Sequence, residues 1–138
     1  MTTTLNRAVA ALIAAGGLAI GIACGGSSSS NAPSPNLTCS TIPNPATTLL
    51  LLNNAVCPQN LTVARGARVT VINNDTRAHE FNSDPHPEHT DCPELNQIGH
   101  LEPGQQRDSG NLNTVRRCGF HDHLNSERAA LRGTITIQ

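Results

Sequence analysis

The chain has 138 residues, enough for one small domain and hardly for two, and its nine basic and ten acidic residues give a formal net charge of −1. A near-neutral charge without a basic run excludes the electrostatic footprint of a nucleic-acid-binding protein. With two Phe and no Trp or Tyr, the core must come from Val, Ile and Leu, which favours short strands over a large helical core.

Residues 1–23 are predicted to be an export signal. Arg7 supplies its positive charge, and the apolar run from Ala8 to Ala23 is short for a membrane span and lacks a basic flank. The run leads into Cys24 in a context that resembles the lipidation site of bacterial lipoproteins, although Gly21 stands where Leu, Val or Ile is preferred. We therefore expect an exported periplasmic or cell-surface protein, anchored to the membrane by lipid on Cys24, with ordinary signal cleavage as the alternative.

The next segment, residues 24–45, is predicted to be a flexible tether, because Gly and Ser carry little surface to bury. Export allows disulfides to persist. Apart from Cys24, four cysteines remain, and the sequence alone does not choose among their three full pairings. The simplest structural pair is Cys39 with Cys57, which would tie the tether to the domain. Cys118 is either a metal thiolate or half of a disulfide with Cys92.

The domain proper, residues 46–138, has the alternation and turn signals of short strands. Apolar or alternating runs predict strands at residues 47–52, 61–64, 68–73, 77–81, 112–118 and 133–137. The second and third are predicted to be an antiparallel pair with Val69 and Val71 facing the core. Prolines exclude regular structure from the loop at 83–93, and a brief helical turn is predicted at 126–131. Together these segments predict an all-β fold, a sandwich of about six to eight short strands.

A group of metal-ligating residue types precedes the last strand. Cys118, His121 and His123 fall within six positions, and His79 lies on an upstream strand that could bring it alongside. Thiolate and imidazole are ligands of copper and zinc. The open alternatives are a metal site and a disulfide with surface histidines nearby.

Several segments of this domain resemble the cupredoxin family. VCPQNLTVARGARVTVINNDTRAHEF is similar to the opening of a cupredoxin domain, LEPGQ to its turn before the penultimate strand, and RRCGFHDHL to its C-x-x-H-x-x-M ligand loop. The likeness covers residues 46–138. It implies a Greek-key β-sandwich and a blue-copper site in which His79, Cys118 and His121 are the three strong copper ligands.

Two features depart from the family pattern. Leu124 occupies the axial Met position, so either the site is three-coordinate or an axial or supporting role falls to His123, to Glu127 or to a group from the loop at 83–93. A non-ligating Leu would be expected to raise the reduction potential. That loop is itself outside the pattern and carries further donors, namely His86, His89 and Cys92.

No catalytic motif competes with the metal reading, so we predict a protein that is not an enzyme. The leading hypothesis is a one-electron carrier that uses a His₂Cys copper site to pass electrons between larger redox partner proteins. The second is a non-redox copper- or zinc-binding protein with histidine-only ligands and a Cys92–Cys118 disulfide. The third is a metal-free interaction domain closed by two disulfides. The oxidation state of Cys118 separates the first hypothesis from the others.

Overall fold

The structure is a computed structural model that describes residues 32–138. The predicted export signal and Cys24 lie outside the described residues. Within this range, no helix has the length and apolar character needed to cross a membrane.

In the described part of the chain nine strands form two sheets, which confirms the predicted β-sandwich with slightly more strands than expected. The first sheet has the order β2-β1-β4-β7 and the second the order β3-β9-β8-β5-β6. The strands are β1 Thr48–Leu52, β2 Ala55–Cys57, β3 Asn60–Val63, β4 Thr70–Asn73, β5 His79–Ser83, β6 Gly99–Leu101, β7 Gln106–Asp108, β8 Arg116–Asp122 and β9 Arg132–Ile137. Single 3₁₀ turns lie at Leu95–Gln97, His123–Asn125 and Ala129–Leu131.

The predicted antiparallel pairing of the strands now numbered β3 and β4 is wrong. β3 pairs in parallel with β9, whereas β4 lies between β1 and β7 in the other sheet. The connection crosses the sandwich instead of turning back, and Gly66 within it has a positive φ of 86° that favours glycine. Val69 and Val71 are nevertheless fully buried, as the alternation predicts.

The core between the sheets is built by alternate residues of each strand. Phe81 of β5 and Phe120 of β8 stack with ring centroids 4.7 Å apart and are packed by Ile135 and Ile137 of β9. Side chains on successive residues of a strand point to opposite faces. Cys118 and Phe120 therefore face the core, whereas Gly119 and His121 belong to the outer face of the second sheet.

The described part of the predicted tether lies against the first sheet. Ile42 is buried with Leu50 and Ile72 in a small apolar cluster of its own. Cys39 and Cys57 form a disulfide with their Cα atoms 5.8 Å apart, which confirms that predicted pair.

Candidate metal centre

Cys118, the predicted thiolate ligand, forms a disulfide with Cys92 in the core. Their Cα atoms are 5.7 Å apart and neither residue is exposed to solvent. The leading prediction of a free thiolate is therefore wrong, and the alternative pairing is the one present. The long loop brings Cys92 back to β8, which sequence spacing alone does not specify.

The structure does not bring His79 to Cys118. In the antiparallel pair of β5 and β8, Phe81 lies opposite Asp122. His79 lies two positions from this pair in one direction and Cys118 four positions in the other. Six positions of about 3.3 Å each separate the two residues by about 20 Å along the sheet.

Cys118 and His121 also cannot share one ion. β8 runs from Arg116 to Asp122, beyond the predicted strand end at 118, so the segment that resembles a ligand loop is regular strand up to His121. Residues three apart in a strand point to opposite faces. The side chain of Cys118 therefore enters the core while that of His121 leaves it on the other side of the sheet.

His79 is fully buried between two carboxylates. Its Nδ1 donates to Asp122 Oδ2 at 3.0 Å, and its Nε2 lies 3.4 Å from Asp75 Oδ2. Burial raises the pKa of Asp122, but hydrogen bonds from His79, the Glu80 N–H and Asn125 outweigh it and lower that pKa below its usual value. Both ring nitrogens of His79 thus have partners, and neither is free for a metal.

Four other histidines meet on the outer face of the second sheet. We call His86, His89, His121 and His123 the four-histidine cluster; each offers a ring nitrogen, and these atoms lie within 4.8 Å of one another. His121 is the penultimate residue of β8, and His123 begins the following 3₁₀ turn. The other two come from residues 84–92, which we call the histidine loop.

The four rings alternate around a common centre. Each histidine of the histidine loop is close to both His121 and His123, with ring centroids 4.7–5.3 Å apart. The rings of His86 and His89 are 6.0 Å apart and those of His121 and His123 are 6.3 Å apart, so the members of each pair lie across the centre from each other. An ion at the centre would therefore be surrounded only if the loop pair, His86 and His89, and the other pair, His121 and His123, were both in place.

Asp84 prepares His121 as a ligand. The Nδ1–H of His121 donates to Asp84 Oδ1 at 2.7 Å, and Arg132 lies 3.9 Å from the same oxygen. A carboxylate only accepts hydrogen bonds, so this contact leaves Nε2 as the unprotonated nitrogen of neutral His121. That Nε2 atom is buried and has no hydrogen-bond partner among residues 32–138. An orphaned acceptor facing three other imidazoles is what a metal would satisfy.

His89 has an electrostatic environment that keeps it neutral. Burial and the neighbouring imidazoles of His121, His123 and His86 lower the pKa of His89 below its ordinary value. Its Nε2 lies 3.0 Å from Nδ1 of His123. A neutral imidazole is the form that can bind a metal.

The cluster fits a divalent transition metal. Metal–nitrogen bonds of about 2.0 Å place nitrogens on opposite sides of an ion about 4 Å apart, so a spread of 4.8 Å needs only a small contraction. An all-imidazole donor set suits copper, zinc or nickel, whereas carboxylate and carbonyl sets suit magnesium or calcium.

The remaining candidates lie outside the cluster. Leu124, at the predicted axial position, is 51% exposed and offers no donor, and Glu127 is exposed. His100 pairs with Glu102 on the surface. Of the predicted axial or supporting residues, His86 and His123 join the cluster and Cys92 closes the loop.

Sequence reasoning did not assign His89 to the site. From the sequence, His89 is only one of the further donors of the loop at 83–93, which lies outside the family pattern. The signal that could have found it is the spacing H-x-x-H at 86–89 together with H-x-H at 121–123, two short pairs suited to one ion.

Solved structures share this architecture at low sequence identity. A purple cupredoxin from Nitrosopumilus maritimus has 14% identity and a TM-score of 0.52, with 67% of this chain and 99% of that chain covered. Plastocyanin from Dryopteris crassirhizoma has 18% identity and a TM-score of 0.54, covering 67% and 100%. Amicyanin from Paracoccus versutus has 12% identity and a TM-score of 0.53, covering 80% and 94%. The chain therefore has the cupredoxin fold. No protein-family model and no curated protein sequence matches it.

Proposed function

We propose that this domain binds copper, as Cu(II), through the imidazoles of the four-histidine cluster and without a thiolate ligand. The observation that carries the proposal is the convergence of four ring nitrogens on one point, with the buried Nε2 of His121 lacking any other partner. The cupredoxin fold supports copper over zinc or nickel, because the similar solved structures include a purple cupredoxin and an amicyanin in its Cu(I) form. Bound Cu(II) would supply a Lewis-acidic, redox-active centre.

The electron carrier predicted from the sequence depends on a copper thiolate at Cys118. In the disulfide form that sulfur is bonded to Cys92 in the core, on the opposite face of the sheet from His121. Nitrogen-only ligation also favours Cu(II) over the softer Cu(I). We therefore propose copper binding as the function, and one-electron transfer as the alternative that the following test decides.

The test is a Cu(II) titration of the purified protein, followed by optical and electron paramagnetic resonance spectra. We expect one equivalent to bind, with nitrogen hyperfine structure and a weak visible band, because no thiolate-to-copper charge transfer is available. His86→Ala/His89→Ala should lose most of the affinity. The matched control, His100→Ala, removes a surface histidine outside the cluster and should bind as the parent does. An intense blue or purple colour would refute the histidine-only site, and absence of stoichiometric binding would refute the proposal.

We also propose that the protein acts outside the cytoplasm. The support is the pair of disulfides, one of them wholly buried in the core, since such bonds persist in oxidising compartments. The lipid anchor on Cys24 and the redox partner proteins stay predictions.

A further inference from the structure

The Cys92–Cys118 disulfide fastens one end of the histidine loop. The other end continues from β5 at Ser83, so the segment with His86 and His89 is covalently fixed at both ends. Beyond Cys92 the chain runs through the 3₁₀ turn Leu95–Gln97 and β6, which pairs with β5, before it enters β8 at Arg116. The bond joins the loop to the strand that carries His121 three positions further on.

Polar contacts also hold the loop on β8, among them the hydrogen bond from His121 Nδ1–H to Asp84 Oδ1 at 2.7 Å. Asp84 N–H donates to Gly119 O at 3.0 Å, and Gly119 N–H donates to Asp91 Oδ2 at 3.3 Å. Asn96 Nδ2 donates to the carbonyl of His89 at 2.8 Å. These bonds leave the loop near its place when the disulfide is open, but they do not fix the separation of the two halves of the cluster as a covalent bond does.

We propose that the disulfide and the metal site are coupled, so that opening the Cys92–Cys118 bond lowers the affinity of the four-histidine cluster for its metal. The inference rests on the proposed function. Because His86 and His89 alternate with His121 and His123 around the centre, an ion is surrounded only when the loop is ordered against β8. Ordering the loop against β8 costs conformational entropy that the intact disulfide has already removed.

The coupling is reciprocal. Reduction converts one disulfide and two thiols of a reductant into two cysteine thiols and the reductant's disulfide. If reduction weakens metal binding by some factor, metal binding must make the disulfide harder to reduce by the same factor. The geometry adds a kinetic reason: both sulfur-bearing residues are fully buried, so a reductant reaches them only after the loop moves, and bound metal holds the loop.

The first experiment compares two disulfide deletions in the full chain. Cys92→Ala/Cys118→Ala opens the loop, and the matched control Cys39→Ala/Cys57→Ala removes the other disulfide, which lies on the first sheet. Zn(II), which has no redox chemistry with thiols, is titrated in competition with a chromophoric chelator. We expect the loop variant to bind at least about tenfold more weakly than the parent, and the control to bind within about twofold of it.

The outcomes separate the coupling from the proposed function. Parent-like affinity in the loop variant, or equal losses in both variants, overturns the coupling and leaves the four-histidine site standing. Absence of Zn(II) and Cu(II) binding by the parent overturns both. Circular dichroism of each variant tests whether it is folded.

A second measurement decides the matter if the loop variant does not fold. The parent protein is treated with a phosphine, which is oxidised to its oxide as water supplies the oxygen and the two protons, and new thiols are alkylated and located by mass spectrometry. Because bound Zn(II) would hold the loop over the buried sulfurs, it should slow alkylation of Cys92 and Cys118 at least about tenfold but leave Cys39 and Cys57 unchanged. His121→Ala should abolish this protection. Equal rates with and without Zn(II) would overturn the proposal.

Discussion

Two buried histidines on neighbouring strands of the second sheet have opposite chemical situations. His79 faces the core, and each of its ring nitrogens meets a carboxylate, Asp122 on one side and Asp75 on the other. His121 faces outward beneath the histidine loop, and only its Nδ1 meets a carboxylate, that of Asp84. Its Nε2 is buried and unpartnered.

The comparison shows that the partner of the second ring nitrogen decides whether a buried histidine can bind a metal. An imidazole with one carboxylate partner is oriented and keeps a lone pair for a metal, whereas one with two carboxylate partners is part of a hydrogen-bonded scaffold. The scaffold serves the site indirectly. Asp122, which receives the Nδ1–H of His79, also accepts from the N–H of Leu124 and from Asn125, and so caps the turn that carries His123.

The largest effects should come from replacing these two histidines in turn. His121→Ala removes the buried ligand nitrogen, so we expect Cu(II) affinity to fall by more than about a hundredfold while the apo domain stays folded. His79→Ala leaves two buried carboxylates without their partner, so we expect the free energy of unfolding to fall by about 3 kcal/mol. Copper titration and denaturant unfolding of both variants measure the two quantities.

The contrast between the variants is the decisive result. His79→Ala could instead lose copper as completely as His121→Ala while keeping parental stability. The structural role assigned to His79 would then be wrong, and His79 would be a copper ligand, as the family resemblance implies.

Much of the fold could be predicted from alternation alone. The runs at 47–52 and 133–137 became β1 and β9 nearly as predicted, because each buries one face against the same core. The errors arose where pairing depends on distant segments. The strand pair around Gly66 was misassigned because a turn signal does not distinguish a hairpin from a crossing between sheets.

The site was harder to predict for the same physical reason. A motif with Cys and His three apart implies a loop, but β8 continues through His121 because Asn82 of β5 and Arg132 of β9 pair with it on both sides. The choice between thiolate and disulfide at Cys118 depended on where a proline-rich loop folds, and nothing local to Cys92 or Cys118 reports that.

Removing the carboxylate that orients His121 should have the next largest effect. Asp84→Asn keeps an oxygen that can accept from Nδ1–H but loses the negative charge, so we expect Cu(II) affinity to fall about 10- to 100-fold. Gly119→Ala should act in the same direction, because a methyl group there would overlap the Asp84 carboxylate. Nitrogen chemical shifts of His121 would report the change of tautomer. Parental affinity with an altered tautomer would show that orientation by Asp84 contributes nothing.

The contribution of this scaffold to the free energy of unfolding should depend on pH in the acid range. Burial raises the pKa of Asp75, but N–H hydrogen bonds from Asn54 and Thr76 and the contact with His79 outweigh it, so this pKa lies below its ordinary value of 3.8. The unfolded chain therefore takes up the proton first as pH falls. The stabilisation is fully present above about pH 4 and is lost as pH falls through the lowered pKa.

Asp75→Asn removes this contribution. We expect the apo domain to lose about 2 kcal/mol of unfolding free energy at neutral pH and to have a flatter stability profile between about pH 4 and pH 2. Denaturant unfolding across that range measures both quantities, with Glu127→Gln, an exposed carboxylate, as the control. Superimposable stability profiles for Asp75→Asn and the parent would show that Asp75 contributes no stabilisation.

The smallest effect is expected at the position where the family resemblance places the axial ligand. Leu124 is 51% exposed, contributes no donor atom and only lines a surface depression of about 520 Å³ with Asn54 and Arg128. Leu124→Met would restore the sulfur of the family pattern. In a His₂Cys site it should add an axial donor and shift the copper spectrum, whereas a histidine-only site on the outer face should leave spectrum and affinity unchanged and alter stability by less than about 0.5 kcal/mol. A marked spectral shift in Leu124→Met would place copper at this end of the sandwich core. That result would contradict the different roles assigned above to His79 and His121.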